Sequence, residues 1–273
     1  MIVAIEIGEA QLASPLGRTS PLVKLGLGLA WLIGLATTLD PRPPLVLASL
    51  ALAAGALFGR IPPGRLARGL APLALTGVGI GVFNALFSAT NTDPTATEFL
   101  RIGFVRLTAE AAGAGVGLAA RVLAIVSVGV VFGLTTDSTR LVDSLVRQAH
   151  LPERFAYGAL AAYQAIPRFV EDLATLRQAR RVRGLRAGWH PRLLVGLLVL
   201  AIRHGDRLAL AMDARAFGSR PRTTFRPIAW QPLDAAVAAI GVVALVVALA
   251  LALAGQAEVP ALIQADPAPP TFE

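Results

Sequence analysis

Five apolar runs, separated by breaks rich in proline and arginine, constrain this chain more than any other feature. They cover residues 23–39, 45–58, 70–88, 109–134 and 233–254. A helix needs about 20 apolar residues to cross the hydrocarbon core, and only structures that satisfy every backbone polar group internally can do so. The chain is 55% hydrophobic and 15% charged, against about 45–50% and about 25% for a soluble domain. The expected fold is therefore an all-α polytopic membrane protein with about five transmembrane helices, six at most. Run 45–58 is short for a span, so tilt, its flanks or partial insertion must make up the length. Lys24, near the start of the first run, can snorkel to the interface. Gly77, Gly79 and Gly81, and Gly113, Gly115 and Gly117, allow close helix packing in lipid.

Residues 1–134 read as a membrane domain of four spans, with a polar loop at 89–108. Residues 135–232 read as a cytoplasmic domain of long crossing helices and 233–254 as the last span. Residues 255–273, with four prolines, three acids and no basic residue, read as a disordered acidic tail. Orientation follows from the basic residues: of 25 Lys and Arg, 21 fall at the N-terminus, in the 59–69 loop or at 140–226. The positive-inside rule places those segments, N-terminus included, in the cytoplasm. The first nine residues carry Glu6 and Glu9 and no Lys or Arg, so the first run lacks the basic flank of a cleaved signal peptide. No cysteine is present and the three histidines are scattered, which leaves no expected metal site or cofactor.

Within 135–232, one helix is expected over about 153–183, bent near Ile166-Pro167, and a second over about 191–217. Phe169, Leu173, Leu176, Arg180 and Arg183 share a face by their spacing, as do Leu208, Met212 and Arg215. Each helix ends in an arginine cluster followed by a stop glycine, Gly184 or Gly218. The candidate site residues are Val182, Arg183 and Gly184, and Ala214, Arg215 and Ala216. An arginine in a last helical turn suits the negative end of the dipole and can also grip a partner's carboxylate bidentately. An arginine near a cytoplasmic helix end is more often a topology charge or a lipid phosphate contact. The repeated small–Arg–small pattern separates Arg183 and Arg215 from that background, in which Arg180, Arg181, Arg186, Arg220 and Arg222 stay. The 193–202 segment is too short to span and reads as packed on the membrane domain or interfacial. Arg121, inside a span, calls for a partner: Glu110, another subunit or a buried structural pair. The carboxylates are dispersed and no phosphate-binding loop appears, so an enzyme is disfavoured. The basic stretch lacks interleaved aromatics, so no nucleic-acid partner is expected.

Over residues 14–226 the sequence resembles the transmembrane coupling (T) subunit of energy-coupling factor (ECF) transporters, the family that includes the cobalt-transporter Q component. The resemblance rests on Ser14-Pro15-Leu16 through Ser20-Pro21-Leu22-Val23-Lys24-Leu25, on Thr135-Thr136, Leu151-Pro152 and Ile166-Pro167, and on both arginine triplets. The family pattern is two Ala-Arg-Gly-like triplets; Val182-Arg183-Gly184 and Ala214-Arg215-Ala216 each depart from it by one residue and keep the arginine. The resemblance implies a non-catalytic subunit of a vitamin or transition-metal importer. Its partners would be two ATP-binding-cassette ATPases, each holding one arginine tip, and a small substrate-binding membrane protein, the S component. The alternative from another class is a membrane scaffold whose basic domain binds anionic lipids.

Overall fold

The computed structural model describes residues 9–38, 40–92, 97–102, 105–185, 188, 190–219 and 228–264. In chain order the elements are α1 (Glu9–Leu12), α2 (Pro15–Arg18), α3 (Pro21–Ala36), α4 (Arg42–Leu57) and α5 (Pro63–Leu86). A 3-10 turn (Ala89–Thr92), β1 (Glu98–Ile102), β2 (Val105–Thr108) and α6 (Ala109–Thr135) follow. The chain continues through α7 (Ser138–Gln148), α8 (Glu153–Val182), α9 (Pro191–Ala214) and α10 (Pro232–Gln264). Helices α2, α3, α5 and α9 open on a proline, whose missing N–H costs nothing in a first turn. The chain divides into two compact units: Met1–Asp137 with Trp230–Glu273, and Ser138–Ala229.

In the first unit α6 packs against α3, α4 and α5, and α10 packs against α3 and α4. The core is Trp31, Leu35, Leu47, Ala48, Ala51, Ala124 and Ala248; the alanines keep the helices close, because lipid offers large side chains no worse a home than the core does. The outer faces carry exposed Ile33, Leu75, Phe83, Val243 and Leu253, as a bilayer requires. Glycine decides the α5–α6 contact. A β-carbon on Gly81 would sit 2.6 Å from the Gly115 carbonyl oxygen, and one on Gly115 would sit 2.5 Å from that of Gly81. Gly77 similarly takes Val122, whereas Gly79 and Gly113 face open space.

Among the described residues, three segments are long and apolar enough to cross a bilayer: Pro63–Thr92, Ala109–Thr135 and Pro232–Ala254. Helices α3 and α4, 16 residues each, reach about 24 Å at 1.5 Å per residue, short of the roughly 30 Å core. The architecture is helical as expected, with one departure. The segment expected as a polar loop at 89–108 contains an antiparallel strand pair, with Arg101 opposite Arg106 and Ile102 opposite Val105. Arg106 pairs with Glu98 at 2.6 Å across it. Asn91 ties the pair to its neighbours, donating to the Ala85 carbonyl at 2.7 Å and accepting from the Thr108 N–H and hydroxyl at 3.0 Å each. Helix α10 continues to Gln264, past residue 254 where the apolar run ends; residues 265–273 of the expected tail lie outside the described residues.

Within the chain, Arg121 finds its partner in a backbone carbonyl rather than in Glu110. Its guanidinium donates to the Thr38 carbonyl beyond the end of α3, while Glu110 accepts from the Thr97 hydroxyl at 3.1 Å. The half-buried cation satisfies an orphan helix-end carbonyl with one nitrogen, while its Nε makes no hydrogen bond among the described residues. Lys24 does not merely snorkel: its ammonium donates to the Thr135 carbonyl at 2.9 Å, at the last residue of α6.

In the second unit α7 packs on α8 and α8 on α9. Tyr157 of α8 donates its hydroxyl to Asp143 of α7 at 2.8 Å. Burial, and then the Asp143 carboxylate, push the Tyr157 phenol up to about 12. Helix α8 runs unbroken for 30 residues with Pro167 inside it. The 193–202 segment is no separate element but the first half of α9, with Leu193 buried.

Candidate functional site: two arginine-capped helix ends

The α8–α9 pair is antiparallel, as its contacts show. Leu176 meets Gly196, Phe169 stands edge-on to His204 at 6.1 Å between centroids, and the Arg154 guanidinium fills the space beside Gly218. Moving back along α8 thus means moving forward along α9. The half-buried stripe of α9, with Leu197, Leu200, His204, Leu208 and Met212 at helical spacing, faces this contact. On α8, Phe169, Leu173, Leu176 and Arg180 are half-buried as their shared spacing predicts, and Arg183 is exposed.

Both helices end in the same backbone motif. Arg183 caps α8; the Gly184 N–H donates to the Arg181 carbonyl at 3.0 Å and the Leu185 N–H to that of Arg180 at 3.1 Å. Arg215 caps α9; the Ala216 N–H donates to the Asp213 carbonyl at 2.9 Å and the Phe217 N–H to that of Met212 at 3.0 Å. These are two Schellman closures, each with its arginine at the C-cap and the next residue left-handed. Gly184 has φ +70° and Ala216 φ +52°. The third triplet position therefore needs a left-handed backbone, a physical reason for a pattern that ends in glycine. Gly218, expected as the stop of the second helix, lies beyond it with φ +86°; the stop is at Ala216.

Val182 is 89% exposed, and Arg183, Gly184, Ala214, Arg215 and Ala216 are all exposed. The antiparallel register brings the two triplets to opposite ends of the pair, not together. The α8 position level with Arg215 is close to Tyr157, so the tips are separated by roughly 40 Å at 1.5 Å per residue. Each arginine is the C-cap of its helix, where the last carbonyls concentrate negative charge that favours a cation. Arg181 is also exposed, whereas Arg180 is half-buried with its Nε without a hydrogen bond. Arg186, Arg220 and Arg222 lie outside the described residues. Among the described residues no group of three His, Cys, Asp or Glu could hold a metal ion.

The opening segment that carried part of the resemblance is a working set of caps that sequence periodicity does not reveal. Ser14 accepts from the Gly17 N–H at 3.0 Å and caps the start of α2. The Ser20 N–H, at the start of α3, donates to buried Asp234 at 2.6 Å. Asp234 was missed because its partner lies more than two hundred positions away. A lone acid in the first turn of an apolar helix was its one signal.

Comparison with known proteins agrees with this architecture. The profile of the cobalt transport protein family, CbiQ, matches residues 14–225. The chain is 29% identical over 255 residues to the energy-coupling factor transporter transmembrane protein EcfT of Heliobacterium modesticaldum, covering 87% of this chain and 93% of that protein. It is 25% identical over 198 residues to EcfT of Lactococcus lactis, covering 66% and 73%. To EcfT of Bacillus subtilis it is 26% identical over 209 residues, covering 70% and 76%. Matched over most of its length and built of apolar helices that suit several membrane passes, this multi-pass membrane protein belongs to the cobalt transport protein family, CbiQ.

Proposed function

We propose that the chain is the transmembrane coupling subunit of an ECF-type importer, non-catalytic itself and driven by two ATP-binding-cassette ATPases. One observation carries the reading: two exposed arginine tips of the same backbone geometry stand at opposite ends of one helix pair, roughly 40 Å apart. A single partner pocket cannot span that distance, but two copies of one fold, or two related ones, each take one tip. In this reading Arg183 and Arg215 are held bidentately by partner carboxylates, with Val182 and Gly184, and Ala214 and Ala216, lining the fit. The small third residue lets the partner approach the helix end. The similarity to transmembrane proteins of energy-coupling factor transporters supports the same assembly.

The S component, which binds the vitamin or metal ion, is the remaining partner. The exposed apolar residues Val195, Leu198 and Ile202 of α9 and Val170 of α8 suit a membrane protein of that kind. In this topology the N-terminus and residues 135–232 face the cytoplasm, where the ATPases are.

Co-purification from detergent tests the proposal. The tagged wild type and Arg181→Glu are expected to bring down an ATP-binding-cassette protein, and Arg183→Glu and Arg215→Glu to lose about ten-fold or more of it, because a reversed charge at a desolvated pair costs about 2–5 kcal/mol. Equal behaviour of all three variants would assign the tips to anionic lipid or topology and sink the coupling reading.

A further inference from the structure

The chain passes between its two units twice, at 137–138 and at 229–230. On the first unit both passages start from points tied to one place, the opening turn of α3. Lys24 of that turn donates to the Thr135 carbonyl at 2.9 Å, three residues before the chain leaves. At the return, Asp234 is 2% exposed and its carboxylate is divided. One oxygen accepts the Ser20 N–H, the N-cap of α3, at 2.6 Å, and the other accepts the Gln231 N–H at 2.9 Å. A second tie lies further in, where the Trp31 indole N–H of α3 donates to the Gly241 carbonyl of α10 at 2.8 Å.

These contacts are charged and directional where the surrounding packing is apolar and not. An ammonium on a helix's last carbonyl and a carboxylate on first-turn N–H groups each match the dipole they meet. Asp234 is buried, and half-buried Lys24 meets the carbonyl of buried Thr135, so neither can let go without leaving a desolvated group behind. Small alanines and glycines alone would let α6 and α10 slide along α3; the polar ties set their register.

We infer that Lys24 and Asp234 are positioning residues that pin both ends of the second unit's chain to the first turn of α3. Displacement of that unit is then delivered to α3, α6 and α10 together rather than taken up at the two passages. The delivery step rests on the coupling-subunit reading above; the pinning does not, and the experiment reads the pinning.

The absence of native cysteine permits nitroxide spin labels at chosen sites in the full chain, reconstituted in lipid nanodiscs. The label pairs are Phe87→Cys with Thr139→Cys for the outgoing passage, and Phe87→Cys with Trp230→Cys for the return. Phe87→Cys with Leu29→Cys is the internal control. Lys24→Met is expected to broaden the first distance distribution about two-fold and Asp234→Ala the second, as local opening frees each passage. The control pair keeps its width, and Lys24→Arg, which restores a cationic donor, keeps the first distribution narrow. If Asp234→Ala fails to fold, Asp234→Asn, which keeps one acceptor oxygen, is read instead. Unchanged widths in both variants would overturn the inference. So would broadening of the control pair alongside the others, since Lys24 and Asp234 would then serve only general stability.

Discussion

Ala216 holds a left-handed backbone at the position where the other triplet has Gly184. A β-carbon there crowds the carbonyl, so Ala216→Gly is expected to stabilise the full chain by about 0.5–1 kcal/mol in thermal unfolding, the strain relieved less the added freedom of the unfolded glycine. ATPase co-purification should not change, because the arginine and the closure around it stay. Tyr157 offers a test by pH. Its phenol is raised from 10.0 to about 12, so the neutral form is favoured by folding. The contribution is complete below pH 10 and is lost as pH rises through the folded value. The thermal midpoint of wild type should fall between pH 10 and 12 more steeply than that of Tyr157→Phe, which has no phenol to ionise. The arginine tips were legible because a last turn, a cation and a glycine lie within a few residues of one another. The misplaced stop at Gly218 shows the limit of that signal: nothing in the sequence announces an alanine with positive φ.

Helices were legible from apolar runs and proline starts: α6 follows the 109–134 run to within a residue, whereas α5 begins at Pro63, seven residues before its run, in the stretch that reads as a basic loop at 59–69. The strand pair at 98–108 was not, because two short strands among polar residues give too few alternations to separate from a loop. The glycines of α5 and α6 were legible as packing residues in kind but not one by one. Gly81 and Gly115 touch backbone to backbone, while Gly79 and Gly113 do not. Gly81→Leu and Gly115→Leu should therefore each destabilise the fold by about 1–3 kcal/mol or more through overpacking. Gly79→Leu and Gly113→Leu, pointing into open space, should be near neutral. Unfolding in mild detergent, followed by helical circular dichroism, separates the two pairs. Arg121 belongs to the same scale. Its partner is a helix-end carbonyl, which charge pairing along the sequence cannot disclose, since every residue carries one.

At the scale of the whole molecule, the proposed topology is open to labelling. In intact cells a membrane-impermeant maleimide should reach Thr92→Cys, beyond α5, and should reach Glu171→Cys of α8 only after the membrane is opened. The reverse pattern would invert the orientation argued from arginine placement. What the chain could not reveal by local pattern is the direction of α9 against α8. Two crossing helices with similar tips leave their mutual direction open, until Leu176 on Gly196 and Arg154 beside Gly218 set them head to tail. That arrangement has a mechanical corollary. A strut of fixed length, gripped at both ends, cannot shorten when its grips draw together; it has to swing. If two ATPases hold Arg183 and Arg215, their closure appears in this subunit as rotation of the α8–α9 pair, with an angle set by how far the grips travel relative to the strut's length.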